Sequence, residues 1–430
     1  MRHTWIVLLI AVAIIGLSLP GCSGKGKNDQ AADQAAPQEL TIFSWWTAGG
    51  EADGLNELIK LFEAKNPNAK VVNAAVAGGA GTNAKAVLKT RMLGGDAPGT
   101  FQVHGGAELI DTWVKAQYMA SITALFNEDN LGSKFPAQLL DMVSSNGLIY
   151  AVPANIHRSN NLWYNVKIFQ DNGIEVPKTL DEWLAACAKL KQAGITPIAL
   201  ASRNSWPVTH LFENLLVAVG GVDFYNDLFA GKIAWDDPKV MQALSTLEKL
   251  VAYANTDHST LTWDQACGLV SQGKAAMTVM GDWAKGFFLS QGQKPGVEFG
   301  AAPTPGTVGT FIVVTDTFGL PAKAPNPELT IEFLRVVASI EGQVNFNLKK
   351  GSIPARIDVP TDRFDEVAKA NMADFAANQL VPSCAHGSAT NENFVIALNN
   401  QLNVFVNGDE VDKTATALEA AAKDSGLRGE

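Results

Sequence analysis

The sequence predicts an α/β protein built as two lobes, each a mostly parallel sheet flanked by helices. Three observations predict it. The chain has 430 residues, more than one hydrophobic core usually covers. Strand-like and helix-like segments alternate from Leu40 onward, the order that builds β-α-β units. A second α/β body then follows in the later part of the chain, and no internal repeat links the two.

In "LTIF", residues 40–43, every position except Thr41 is apolar, which suits a strand covered on both faces. Leu55, Leu58, Ile59 and Phe62 follow at helical spacing, and Asn66-Pro67 stops that helix. "AKVVNAAV" returns as a second strand, "TNAKAVLKTRMLGG" as a second helix and "TFQVHGG" as a third strand. In the later body Thr179 caps the helix "TLDEWLAACAKLKQAG", with "ITPIALA" as the strand after it. "VMQALSTLEKLVAYAN" and "WDQACGLVSQGKAAMTVMGDW" repeat the helix and helix-to-strand sense. "TFIVVTDTFGLPAKAPNPELTIEFLRVVAS" reads as strand, loop and helix, and two helical pieces close the chain.

Composition bounds the function. Hydrophobic residues make up 47% and charged residues 18%, as in ordinary globular proteins. A formal net charge of −10 argues against a nucleic-acid binder, which carries a basic footprint. Residues 1–21 read as a secretory signal, with a short polar start and an apolar core from Trp5 to Leu19. The segment closes on "LPGC", similar to a bacterial lipobox, which predicts lipidation of Cys22; an ordinary signal peptide with an incidental cysteine is the alternative. Residues 22–38 are a polar, alanine-rich tether. Together they predict a body held outside the cytoplasmic membrane by a lipid anchor. Cys187, Cys267 and Cys384 form no C-x-x-C pair, so neither zinc nor a thioredoxin-like centre is expected. In an oxidising compartment we expect one disulfide, Cys267–Cys384.

Ligands of parallel α/β sheets sit at the carboxyl ends of the strands. Trp45 and Trp46 stand at that address, and an indole offers a flat apolar partner to the C–H face of a sugar ring. Core or loop packing is the alternative for either ring. Gln102 and His104 share one face of their strand by the period of two and emerge together before Gly105-Gly106. Both can pair with hydroxyls; a half-exposed strand with polar residues on its wet side is the competing account. Asp316 follows "FIVV", Lys350 precedes a glycine turn in "KKGSIP", His386 lies in "CAHGSA", and Trp283 follows "AAMTVM". The chain has no H-E-x-x-H and no G-x-S-x-G. Residues 79–84 fit G-x-G-x-x-A, but after the second strand instead of the first, so a glycine-rich loop beside a cleft is the simpler account.

"FSWWTAGGEADGL", "IHRSNNLWYN", "AAMTVMGDWAKG", "DTFGLPA", "KKGSIPAR" and "AHGSA" together resemble the glucose-type sugar-binding lipoproteins of bacterial ABC importers. These are relatives of the family 1 extracellular solute-binding proteins, to which maltose-binding protein belongs. The resemblance spans nearly all of residues 39–430 with the motifs in family order. It implies a type II periplasmic-binding-protein-like fold with hinge crossovers. One lobe would hold residues 39–154 with 315–355, and the other 155–314 with 356–430. It implies a non-enzymatic receptor for a small neutral sugar that docks on membrane permease subunits, needs no cofactor or metal and works as a monomer. The sugar-contacting positions it implies are Trp45, Trp46, Glu51, Gln102, His104, Trp263, Trp283, Asp316, Lys350 and His386. The rival class is an exported glycoside hydrolase using Glu51 and Asp316 as its carboxylate pair. A receptor for a disaccharide or a non-sugar solute is the third reading.

Overall fold

The first strand, Gln38–Phe43, pairs in parallel with Ala69–Asn73 on one side and Thr100–His104 on the other. The three run the same way because the helices Gly49–Lys65 and Thr82–Leu93 carry the chain back between them. This computed structural model describes residues 38–429. The expected signal 1–21, Cys22 and its lipidation, and the tether before Gln38 lie outside the described residues.

The next strand of this sheet, Asp316–Pro321, is antiparallel to Thr100–His104, to Ala151–Pro153 and to Met119–Ala120. It re-enters from the later body, so the sheet is parallel on one side and antiparallel on the other. Its register sets Asp316 opposite His104 and Phe318 opposite Gln102. The later body has its own sheet, in the order Thr196–Ile198, Ala275–Val279, Asn161–Asn165, Phe299–Pro303. Only its first pair is parallel. A third sheet of Gln379–Pro382, Thr310–Val314 and His157–Arg158 joins the two bodies.

Two large cores follow this division and make the fold a mixed α/β, two-lobed, periplasmic-binding-protein-like one. The first gathers residues from Leu40 to Ile156, then Phe311 and Val313, and residues from Phe318 to Ala368. The second gathers residues from Leu162 to Val279, then Ile312, Val381 and residues from Cys384 to Ala422. Phe364 and Ala368 belong to the first core, with Met372 and Phe375 packed against it, so the last passage between bodies falls near Gln379–Pro382. A smaller aromatic cluster containing Trp163, Trp206, Met280, Trp283 and Phe288 lies beside the second.

Local chemistry explains most elements. Thr179 Oγ1 accepts from the Glu182 N–H while Glu182 reaches back to the Thr179 N–H, a complete capping box that starts the helix Leu180–Gln192. The helix Trp206–Phe229 has no such amphipathic signal. Its stretch Trp206 to Val217 is buried on every side and runs through the second core, ahead of a break at Gly221 (φ 80°). No described helix is long and apolar enough to cross a membrane.

The expected Cys267–Cys384 disulfide is not formed; all three described cysteines are buried free thiols. Cys267 packs in the aromatic cluster and Cys384 in the second core, so the two serve separate packing sites. Burial pushes the Cys187 thiol up to about 12 and raises the other two as well.

Candidate functional site

Where the strand Gln38–Phe43 ends, the chain bends at Trp45. The bend explains why both indoles, which extended backbone would send opposite ways, line one narrow cavity. Trp45 tilts against His104 at 5.1 Å, and its backbone N–H donates to Gln102 Oε1 at 3.4 Å. Trp46 packs on Phe318 and Phe346, with the Lys350 ammonium 5.0 Å above its ring. Trp206, Trp263 and Trp283 form the opposite wall, and Ala80 of the glycine-rich loop also faces the cavity.

The strand Thr100–His104 is buried at all five residues, so its polar side chains must find partners inside the protein. Gln102 Nε2 donates to Asp316 Oδ1 at 2.7 Å and does not itself line the cavity. His104 Nδ1 meets Glu108 Oε2 at 2.8 Å, which also accepts from Lys85 Nζ at 2.7 Å. Burial works against the Glu108 charge, yet Lys85 and His104 outweigh it and hold its pKa below the usual range.

Asp316 is the hub. Its carboxylate accepts from Gln102, from Asn155 Nδ2 at 2.8 Å and from His157 Nε2 at 3.1 Å, with Lys350 Nζ at 3.9 Å. Burial opposes its ionisation, but Lys350, His157 and His104 prevail and keep it well below the usual carboxylate range. Lys350, the last residue of the helix Ile340–Lys350, also donates to Glu51 Oε1 at 2.7 Å in the first turn of Gly49–Lys65. His157 sits on the connecting sheet with Nδ1 on Asp282 and Nε2 on Asp316. Burial disfavours its charge; Asp282 and Asp316 raise its pKa nonetheless. A buried imidazole therefore ties a carboxylate of the first sheet to one at the start of the helix Trp283–Ser290.

His386 closes the remaining side, 4.9 Å from Trp283 and 5.5 Å from His104. Burial first, then the neighbouring histidines and Lys85, depress its pKa well below the ordinary value. Behind it, donor atoms of His210, Glu213 and His386 lie within 4.8 Å of one another. That trio does not fit a metal. Glu213 already accepts from Ser159 Oγ, Ser383 Oγ and the N–H groups of Cys384 and Ala385, which uses its lone pairs. Its carboxylate instead fastens the loop that presents His386.

The wall is aromatic, and its charges are compensated by one another: Lys350 with Glu51 and Asp316, His157 with Asp282 and Asp316. Of the cavity-lining indoles, Trp46 Nε1 and Trp206 Nε1 are buried without a hydrogen-bond partner among the described residues, as is Trp235 Nε1 in the second core. Such a cavity suits an uncharged molecule with apolar faces and acceptor oxygens.

A family model for bacterial extracellular solute-binding protein matches residues 48–344. An uncharacterized ABC transporter extracellular-binding protein of Pyrococcus horikoshii is 42% identical over 97% of this chain and 95% of its own length. The chain belongs to the bacterial extracellular solute-binding proteins. Membership makes it a binding protein, not an enzyme. A probable sugar-binding periplasmic protein of Brucella suis is also similar, 32% identical over 96% of this chain and 99% of its own. Among solved structures, a chitin oligosaccharide binding protein shares the fold, with a TM-score of 0.81 at 23% identity, covering 91% of this chain and 99% of that one.

Nine of the ten residues singled out in the sequence line the cavity of this solute-binding protein: Trp45, Trp46, Glu51, His104, Trp263, Trp283, Asp316, Lys350 and His386. Gln102 stands one layer behind, on Asp316. Sequence reading missed His157, Trp206 and Val314 as cavity-lining residues and placed Ala80 only within a glycine-rich loop beside a cleft. His157 occupies a two-residue strand too short for any periodic signal. Trp206 was readable only as the residue before Pro207 at a helix start.

Proposed function

We propose that this protein is an extracytoplasmic receptor delivering a neutral pyranose to an ABC importer, with glucose first and galactose or mannose next among the candidates. The observation that carries the reading is the charge-compensated aromatic cavity with two unpartnered indole N–H groups. An indole covers the C–H face of the ring, while Asp316, Glu51, Lys350, His104 and His386 pair with hydroxyls; Gln102 holds Asp316 in place. Sugars lacking a matched hydroxyl lose strongly, because buried polar groups are then left unpaired. The name of the Brucella suis relative supports a sugar as the ligand class. Cys22 carries the lipid anchor in this reading, and residues 22–38 leash the body to the membrane. Ligand bridging the two lobes favours the closed form only by its higher affinity for that form. The closed form then docks on the permease.

A micromolar affinity, roughly −8 kcal/mol, fits one buried ring. The test is a thermal-shift screen over glucose, galactose, mannose and xylose, with amino acids and polyamines as controls. At a hundredfold excess over its dissociation constant the cognate sugar adds about 2.7 kcal/mol of stability. A shift with a charged solute and none with any sugar refutes the reading.

A further inference from the structure

After the strand Thr100–His104 the chain turns at Gly105-Gly106 so sharply that the Glu108 side chain comes back onto His104. Glycine is required there: Gly106 has φ 97°, and a Cβ on it would lie 2.5 Å from the Ser388 carbonyl oxygen. The N–H groups of Ala107 and Glu108 donate to the carbonyls of Ser388 and Gly387 at 3.1 and 2.9 Å, which docks the turn on the loop that presents His386. Glu108–Val114 then forms a π-helix, a rare form that recurs at functional sites. We infer that Glu108 is a positioning residue that fixes the hydrogen-bonding face His104 turns to the ligand: it holds the Nδ1–H tautomer, Nε2 is left to accept, and the cavity selects a sugar whose hydroxyl at that position donates. The inference rests on the receptor reading above and adds a rule of selection to it.

Three features argue for it. First, Glu108 is buried, and its Oε2 lies 2.8 Å from His104 Nδ1 and 2.7 Å from Lys85 Nζ. Burial opposes its charge, but Lys85 and His104 lower its pKa, so it is ionised at neutral pH. An ionised carboxylate only accepts, so Nδ1 must carry the proton of their hydrogen bond. Second, the other ring nitrogen is left to the cavity, which His104 lines and Glu108 does not. Nε2 is 3.7 Å from Asp316 Oδ1, beyond hydrogen-bonding distance. In a neutral imidazole one nitrogen donates and the other accepts, so Nε2 is an acceptor. It stands beside a carboxylate that has no proton to give, and a ligand group that meets both must donate. Third, the ring is held on two sides, by Trp45 at 5.1 Å and edge-on by His386 at 5.5 Å, so packing opposes its turning over to exchange the nitrogens.

The first measurement needs no ligand. NMR of the full chain carrying nitrogen-labelled histidine reports which ring nitrogens are protonated, with His104 assigned by the signal lost in His104→Asn. The expected form is neutral Nδ1–H; an Nε2–H ring, or one protonated on both nitrogens at neutral pH, overturns the inference. In Glu108→Gln the Lys85 ammonium takes the amide oxygen and leaves the NH2 to donate to Nδ1, so His104 should switch to Nε2–H. The second measurement is calorimetric titration with whichever of glucose, galactose and mannose binds, and with its deoxyfluoro derivatives, because fluorine cannot donate. At one ring position fluorine should cost the wild-type protein at least tenfold in affinity and cost Glu108→Gln less than threefold, with the penalties at other positions unchanged within twofold. A purely structural Glu108 would instead weaken every derivative alike when substituted. That result, or an undiminished fluorine penalty, overturns the inference and leaves the receptor standing. The wild-type spectrum keeps the test valid if Glu108→Gln fails to fold. If none of the sugars binds, the receptor reading and the selection rule both fall, and the spectrum still decides the tautomer.

Discussion

At the scale of single residues, the site is governed by where buried charge is balanced. Asp316 holds four neighbours in place, so Asp316→Asn leaves Lys350 and His157 short of counter-charge. Breaking a buried pair from one side costs about 3–5 kcal/mol, and a large loss of ligand affinity should accompany it. Calorimetry and urea unfolding read the two effects separately. Trp46 makes a finer test. Its ring is packed in the first core while its Nε1 has no protein partner. Trp46→Phe should therefore lower the urea midpoint by the packing lost with the larger ring and, separately, cost roughly 1 kcal/mol of binding, about one hydrogen bond. The histidines set the pH dependence. His157 has a raised pKa, so its stabilisation is complete below about pH 6.5 and is lost as pH rises through the folded value. Burial depresses His210 to about 3 and lowers His386, so the unfolded chain binds more protons than the fold as pH drops below about 6.5, and stability falls there. Between pH 5 and 8.5 the urea midpoint should pass through a maximum. His157→Asn should flatten the alkaline limb alone.

At the scale of elements, the Trp283–Ser290 helix meets the two helices that carry Glu51 and Lys350 across bare glycines. A Cβ on Gly286 would lie 2.7 Å from the Lys350 carbonyl oxygen, and one on Gly50 would lie 2.4 Å from that of Lys349. Gly286→Ala must separate these helices, costing about 1–3 kcal/mol by overpacking and displacing Lys350 from Asp316. Reduced affinity together with reduced stability is expected, read by titration and thermal melting. Thr179→Ala is its control: loss of the capping box costs about 1 kcal/mol of stability and leaves ligand affinity unchanged. What the sequence disclosed at this scale follows the same physics. Capped, amphipathic helices such as Leu180–Gln192 were legible, as was Thr100–His104 with its paired polar side chains. Trp206–Phe229 was not, because its stretch Trp206 to Val217, buried on every side, shows no period. The short connecting strand His157–Arg158 was also hidden, since two residues define no pattern. The antiparallel entry of Asp316–Pro321 is set by tertiary return of the chain, which local sequence does not encode.

At the scale of the whole molecule, two cores and a three-stranded connecting sheet put groups of both lobes around one cavity. The His157 imidazole between Asp316 and Asp282 and the Lys350–Glu51 pair hold the wall in register without leaving an uncompensated charge for an ionic ligand. Under the proposed function, this architecture grips a neutral ring by faces and hydroxyls, and contacts made on both sides at once favour closure. Five of the ten tryptophans, Trp45, Trp46, Trp206, Trp263 and Trp283, line that cavity. Their intrinsic fluorescence, titrated with glucose, galactose and mannose, is the most direct test of the central claim. The account predicts a saturable change with at least one of these sugars. A flat response to all of them, alongside a saturable response to a charged solute, would contradict it.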